Sequence, residues 1–266
     1  MPIKNGKLTH YVALKENITE RKRIFEELSK AKDEAERANK LKSEFLAQMS
    51  HEIRTPINVM IGHHSLLKEL IPHDLVDDYD DIFSGIDSAS KRIIRTIDLI
   101  LNMSEIQAGS YMPEIKLLDL DSYIFHKLLI EFKPASKLKN LELIYINQLS
   151  NSEIQADEYS VMQIFTNLID NAIKFTKHGS VTIRLFRNTN QSVVVEVADT
   201  GIGIGEEYIA KLFDPFSQEE TGYTRTFDGN GLGLALVKNY CKINNAVIEV
   251  ESKKDHGSIF RIIFAV

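Results

Sequence analysis

The alternation of apolar and polar positions divides the chain in two. From Thr19 to about Ile71 the spacing is helical: Ile24, Leu28, Ala31, Ala35 and Ala38 step by four and three residues, the seam of a coiled coil. The stripe continues through Leu41, Phe45, Met49, Ile53, Ile57 and Met60, while Glu, Lys, Arg and Asp fill the outer positions. Thr19 is the expected N-cap, with Glu20 in the first turn. Ile71-Pro72-His73-Asp74 interrupts the pattern. A second helix follows from about Leu75 to Gln107, on Ile82, Ile86, Ala89, Ile93, Ile97, Ile100 and Leu101. Two long amphipathic helices joined by a tight loop cannot bury both faces alone, and pairing two such hairpins into a four-helix bundle solves that, so a homodimer is expected. Ahead of them, Leu8–Leu14 has strand-like β-branched and aromatic content but no partner strand, so residues 1–19 are expected to be the end of another fold.

Beyond the breaker residues Ala108-Gly109-Ser110-Tyr111-Met112-Pro113 the period changes. Helices are predicted near Leu120–Ser136, Glu158–Phe175 and Gly231–Ile243. Strands are predicted near Leu141–Ile146, Ser180–Arg187, Ser192–Asp199, Ala246–Ser252 and Ser258–Val266. Helices collected against a mixed or antiparallel sheet make an α+β layer domain. The expected division is a helical hairpin at 20–107, a linker at 108–115 and a second domain at 116–266.

Composition narrows the class. With 43% hydrophobic residues the chain can bury a core, which excludes wholesale disorder. A net charge of −6, from 38 acidic against 32 basic residues, gives no nucleic-acid footprint. Cys241 stands alone, so neither a disulfide scaffold nor a cysteine metal site is expected. No apolar run approaches the roughly 18 residues of a membrane span, and no signal-peptide segment is visible; a reducing, cytoplasmic setting is expected. Glycine is sparse at 13 residues, yet seven of them fall between Gly201 and Gly233. That concentration calls for special backbone there.

Three groups of residues can carry chemistry. His51-Glu52, in Ser50-His51-Glu52-Ile53-Arg54-Thr55-Pro56, lies inside the first helix. At about 100° per residue His51 points away from the apolar stripe, with Thr55 and Asn58 on its face, and Pro56 removes the helix bond to the Glu52 carbonyl, so a kink is expected. An exposed imidazole beside a carboxylate suits nucleophilic or proton-transfer work, although an isolated His-Glu pair is more often a solvated surface histidine with a charged neighbour. Asn167, Asn171 and Lys174 share one face of the predicted 158–175 helix, with Gln163 a turn earlier. An amide oxygen can ligate Mg²⁺ and the lysine can meet phosphate; a polar solvated face is the bland alternative. Asp199-Thr200-Gly201-Ile202-Gly203-Ile204-Gly205 ends a Val-rich strand, where glycines admit a flat ligand and Asp199 can accept from an exocyclic amine. Gly229-Asn230-Gly231-Leu232-Gly233 opens a helix, a place for phosphate. Neither glycine run is a Rossmann or P-loop signature, and either alone is equally well a turn.

Taken together and in this order, these boxes resemble the sensor histidine kinases of two-component systems, over about residues 20–266. Residues 7–19, with Asn17-Ile18-Thr19-Glu20-Arg21-Lys22, also resemble the end of a PAS domain entering its signalling helix, with Asn17 where that family usually has Asp. The resemblance implies a multidomain α and α+β chain: an antiparallel helical hairpin forming a dimeric four-helix bundle, then a Bergerat-type α/β-sandwich ATPase domain of the kind shared with gyrase, Hsp90 and MutL. It implies His51 as phosphoacceptor, Glu52 as general base and Thr55 as the residue orienting water in dephosphorylation. It implies ATP and Mg²⁺ as cofactors, with Asn171 the Mg²⁺ ligand, Asn167 its support, Lys174 on phosphate and Phe175 against the nucleotide. Asp199 would read the adenine amine, Gly201, Gly203 and Gly205 would line the base pocket, and Gly229, Gly231 and Gly233 the phosphate end. Ser217–Asp228 would be a lid carrying Arg225 as a weaker phosphate contact. Gly205 stands where a proline is common and Asn230 where a threonine is common. The implied activity is autophosphorylation of His51 and transfer to an aspartate of a response regulator receiver domain, with regulator phosphatase activity. The rivals are a Bergerat-fold ATPase clamp without a phosphohistidine and a non-catalytic dimer module.

Overall fold

The computed structural model describes residues 3–4, 7–8, 17–70, 73–219 and 230–265. β1 (Ile3–Lys4) and β2 (Lys7–Leu8) pair antiparallel, so Leu8 does have a partner strand, contrary to expectation. The rest of the strand expected at 8–14 lies outside the described residues, as does the hairpin loop at 71–72.

Helix α1 spans Thr19–Leu70 and α2 spans His73–Ala108. The cap of α1 differs from expectation. Thr19 is already helical and its N–H donates to the Asn17 side chain at 3.1 Å, while the Ile18 carbonyl takes the first helix bond from Lys22. The upstream Asn is therefore the capping side chain. α1 runs through Pro56 without interruption. One turn is adjusted nearby: the Thr55 hydroxyl donates to the His51 carbonyl at 3.0 Å, a local back-bond that bends helices. Ile57 and Phe83 are buried between the two helices, and Arg54 pairs with Asp98 at 2.6 Å.

Most of the expected apolar seam stays on the surface of a single chain. Phe25 is 70% exposed, Phe45 60% and Ile82 58%, and Leu28, Leu41, Ile53, Met60, Ile86, Ile93 and Ile100 are exposed with them. On α2 the buried apolar positions include Leu99 and Met103, which join the core of the second domain. They lie on a different face from the predicted stripe, one that a search for a single seam passes over.

In the second domain, β3 (Ile115–Asp119) leads through a π-helical turn (Leu120–Phe125) into α3 (His126–Leu138). The linker therefore stops at Glu114, and the single helix predicted at 120–136 is two conformations in series. Asp119 starts the wider, π-helical piece by accepting from the Asp121 N–H. Then come β4 (Leu141–Asn147), β5 (Glu153–Asp157), α4 (Glu158–Phe175), β6 (Gly179–Arg187), β7 (Val193–Asp199), α5 (Glu206–Ile209), α6 (Gly233–Ile243), β8 (Ala246–Ser252) and β9 (Ser258–Phe264). The main sheet has the order β4-β6-β7-β9-β8, parallel only between β4 and β6, and β3 pairs with β5 apart from it. The one-in-two alternation of Val181, Ile183 and Leu185 with Val193, Val195 and Val197, and of Phe260, Ile262 and Phe264, buries one sheet face under α4 and α6. Val161, Ile164, Phe165 and Leu168 supply the helix side. On the other face Arg184 and Arg261 both pair with Glu196, at 3.1 and 2.8 Å. Two layers of this kind, with a helical hairpin before them, are the architecture the pattern called for.

Candidate functional site

α4 owes its placement to its two ends. Asp157 caps the start, accepting from Ser160 N–H at 2.8 Å. Burial pulls the Asp157 carboxyl upward, but hydrogen bonds from Tyr111, Ser160 and the Glu114 N–H outweigh it and leave the pKa below the usual range. At the other end the Lys139 ammonium donates to the Ile173 and Lys174 carbonyls, 2.9 Å each. A cation on the last carbonyls satisfies orphan acceptors and complements the helix dipole. Sequence reading missed Lys139 because it is far along the chain from the carbonyls it meets.

Along this helix the predicted residues separate. Asn171 and Lys174 are half-buried on the polar face, and the Lys174 ammonium lies 4.5 Å from the Phe175 ring centre. Asn167 is different. It is 3% exposed, donates to the Gln163 carbonyl at 2.8 Å and accepts from Arg95 of α2 at 3.3 Å. Its carboxamide therefore braces the helix and the hairpin, rather than facing outward.

The loop after β7 is folded onto the end of α4. Asp199 accepts from Gly201 N–H at 2.8 Å, and Ile202 N–H reaches the Phe175 carbonyl at 3.3 Å. A Cβ on Gly201 would lie 2.5 Å from that same carbonyl, so only glycine permits this approach. Gly203 takes a positive φ of 60° against the Lys253 carbonyl, and Gly205 N–H donates to Glu219 at 3.1 Å. Burial pushes the Asp199 carboxyl up, partly offset by hydrogen bonds from Gly201 and Ser258. A carboxylate in a desolvated, glycine-lined recess suits recognition of a flat donor. Gly257, at φ 86° against the Asp199 carbonyl, belongs to the same wall. It was missed because it sits alone, outside both glycine runs.

α6 begins at Gly233 rather than Gly231, since Gly231 has a φ of 70° and cannot join a right-handed helix. No side chain caps this helix start, which leaves its first N–H groups to meet an anion. A Cβ on Gly233 would lie 3.2 Å from the Asn167 carboxamide oxygen, so the start of α6 sits against α4. The end of α4, the end of β7 and the start of α6 thus converge. Gly229, Arg225 and residues 220–228 of the expected lid lie outside the described residues.

His51, Glu52, Thr55 and Asn58 are all exposed along α1, as the helical spacing predicts. The structure does not bring them to the converging elements: the His51 ring has no hydrogen bond or ion pair with another described residue.

Residues 41–109 match the His Kinase A (phospho-acceptor) domain family, and residues 156–266 match the family of histidine kinase-, DNA gyrase B- and HSP90-like ATPases. The chain is 34% identical over 242 residues to the autoinducer 2 sensor kinase/phosphatase LuxQ of Vibrio parahaemolyticus, covering 89% of this chain and 28% of that protein. It is 32% identical over 272 residues to the cell-division control histidine kinase PdhS of Brucella anthropi, covering 97% of this chain and 26% of that one. This chain therefore spans about a quarter of the length of the curated relatives it matches. Among solved structures, full-length ShkA in complex with AMPPNP aligns at a TM-score of 0.65 and 25% identity, over 84% of this chain and 46% of that one. The histidine kinase AdeS of Acinetobacter baumannii shares the fold at a TM-score of 0.54 and 22% identity, over 81% of this chain and 97% of that one.

Proposed function

This chain belongs to the histidine kinases, and from that premise we propose that it phosphorylates its own His51 from ATP and passes the phosphoryl group to an aspartate of a response regulator receiver domain. The observation that carries the reading is the convergence of Asn171, Lys174, Asp199 with Gly201, and the uncapped start of α6, in a chain that also presents His51 beside Glu52 on an exposed helix face.

Each residue has a physical task in it. Asp199 accepts from the adenine amine across the glycine-lined wall. Lys174 and the first N–H groups of α6 meet the phosphates, so the chain's work is positioning and charge stabilisation. The donor set fits Mg²⁺ held with a nucleotide: one amide oxygen from Asn171, with phosphate and water to complete an oxygen shell. Bound there, the ion would neutralise phosphate charge. His51 attacks the γ-phosphorus in line with one ring nitrogen, the bond to the β–γ bridging oxygen breaks and ADP leaves with that oxygen, while Glu52 orients the other N–H and takes its proton. Thr55, one turn on, orients water for dephosphorylation of the regulator, which the kinase/phosphatase name of the LuxQ relative supports. The apolar surface left on α1 and α2 is the face a second copy covers in a four-helix bundle.

The test is incubation with γ-labelled ATP. An acid-labile, base-stable label that is lost in His51→Gln is the expected result. Bound nucleotide with no label would favour the ATPase clamp instead, and labelling that survives His51→Gln would move the phosphoacceptor elsewhere. Thr55→Ala is expected to keep the label and slow regulator dephosphorylation.

A further inference from the structure

Arg95 joins the two regions at a point the chemistry above does not use. It lies on α2 in one stripe with Leu99, Asn102 and Met103, the spacing of successive turns of one helix face. Leu99 and Met103 are buried in the core of the second domain, and Asn102 exchanges hydrogen bonds with the Tyr159 hydroxyl at 3.0 and 3.2 Å. Arg95 completes the stripe with a fork. One guanidinium nitrogen is 2.7 Å from the Asp170 carboxylate, and another donates to Asn167 at 3.3 Å. A planar fork on two acceptors of one helix is what arginine offers and lysine does not. Asn167 in turn abuts Gly233, so the contact runs from the hairpin into the joint between α4 and the first turn of α6.

In this docking the chain's own His51 ring is exposed and engages no described residue of its own nucleotide site. Arg54 pairs with Asp98, and His64 lies 3.1 Å from Asp87. That antiparallel register sets Arg95 level with about Ile57, six residues beyond His51. Arg95 therefore grips α4 roughly 9 Å further toward the hairpin loop than the phosphoacceptor.

We propose that Arg95 is an interdomain latch: its contact with Asp170 and Asn167 parks the catalytic domain on α2, and its release raises the rate at which His51 takes the phosphoryl group. The inference rests on the kinase reading of the site. The side chains of Arg95 and Asp170 are 38% and 34% exposed, so the pair biases docking without locking it; an ion pair this open shifts an equilibrium by up to roughly fivefold.

The readout is the initial rate of His51 labelling at saturating ATP. Arg95→Ala and Asp170→Ala are each expected to raise it about two- to fivefold, with the double variant little faster than either alone, because both remove one interaction. Arg95→Lys should fall between, keeping the charge and losing the fork. High salt should narrow the gap by screening the pair in the unaltered chain. An unchanged or slower rate in Arg95→Ala, with the melting temperature unchanged, overturns the latch. A second measurement keeps this separate from the kinase reading. Spin labels on His63→Cys and Asn190→Cys, diluted with unlabelled chain, report the hairpin-to-domain distance. Arg95→Ala should broaden that distribution even in a chain that takes no label, and an unbroadened distribution also overturns the latch.

Discussion

The hairpin and the catalytic domain solve the burial problem differently. The catalytic domain closes on itself, with Phe125, Phe165, Leu236 and Val195 fully buried between sheet and helices, and its candidate site is built largely from backbone at glycines. The hairpin leaves Phe25, Phe45 and Ile82 mostly exposed in a single chain and carries its candidate chemistry on outward side chains. One region buries its apolar residues within a single copy, and the other leaves many of them exposed. A closed core can hold a site rigid, while an open helix surface can present a histidine to more than one visitor.

The sharpest way to break this contrast is to damage each region in its own manner. Phe165→Ala, at a site with no exposure, should cost about 3–5 kcal/mol through lost burial and the cavity left behind. Chemical denaturation should show that loss at every protein concentration. Phe45→Asp should leave the unfolding of the catalytic domain where it is and weaken self-association instead. Placing a charge where the proposed four-helix bundle would pack a partner helix should lose at least the roughly 1.5–3 kcal/mol of burying one such side chain, read as tenfold or more in the dimer dissociation constant by sedimentation equilibrium. Equal concentration dependence for the two variants would erase the distinction.

A smaller effect separates site from scaffold inside the catalytic domain. Asp199→Asn should weaken ATP binding about tenfold or more, roughly the value of one charged hydrogen bond, with the melting temperature little changed. The pH dependence carries a sign. Burial raises the Asp199 carboxyl in the folded chain, so its contribution to stability is present below its unfolded pKa and lost as pH rises through the folded one. In the proposed site Asp199 meets the adenine amine as a carboxylate, so ATP affinity should run the other way and fall as pH drops through the raised pKa. Asp199→Asn should flatten both trends, and calorimetric titrations across pH 4–7 against the unaltered chain would show whether it does.

The same contrast governs how much of the molecule is legible in the amino-acid sequence. α4 matched its predicted bounds at Glu158 and Phe175, because its apolar period is regular and both ends carry local signals. The glycine runs were legible because glycine is scarce elsewhere in the chain. β3 and β5 were not, since five-residue strands with Lys, Glu and Gln on them give too little alternation to separate from loop. The roles of Asn167 and Arg95 were also out of reach. Their meeting joins residues 72 positions apart, and a helical wheel of either helix shows only a polar position. The Leu99 and Met103 face escaped for a related reason: a hairpin helix with two partners has two apolar stripes, and the stronger one hides the other.

The last test concerns the seam where the regions meet, at Tyr240. Its ring lies edge-on to Tyr111 at 5.8 Å and to Tyr159 at 6.5 Å, and Tyr159 in turn hydrogen-bonds Asn102 of α2. The side chain is fully buried and its hydroxyl has no partner among the described residues, while burial and neighbouring acidic and phenolic groups push its pKa upward. A desolvated hydroxyl without a bond is a cost, so Tyr240→Phe should be neutral or stabilising by up to about 1 kcal/mol in thermal melting. The direction matters more than the size. If the hydroxyl finds a partner only when the catalytic domain leaves α2, removing it favours the docked arrangement, and the variant should also label His51 more slowly. A destabilised Tyr240→Phe would instead mean that the hydroxyl is bonded in the docked arrangement and that this seam belongs with the closed core rather than with the open hairpin.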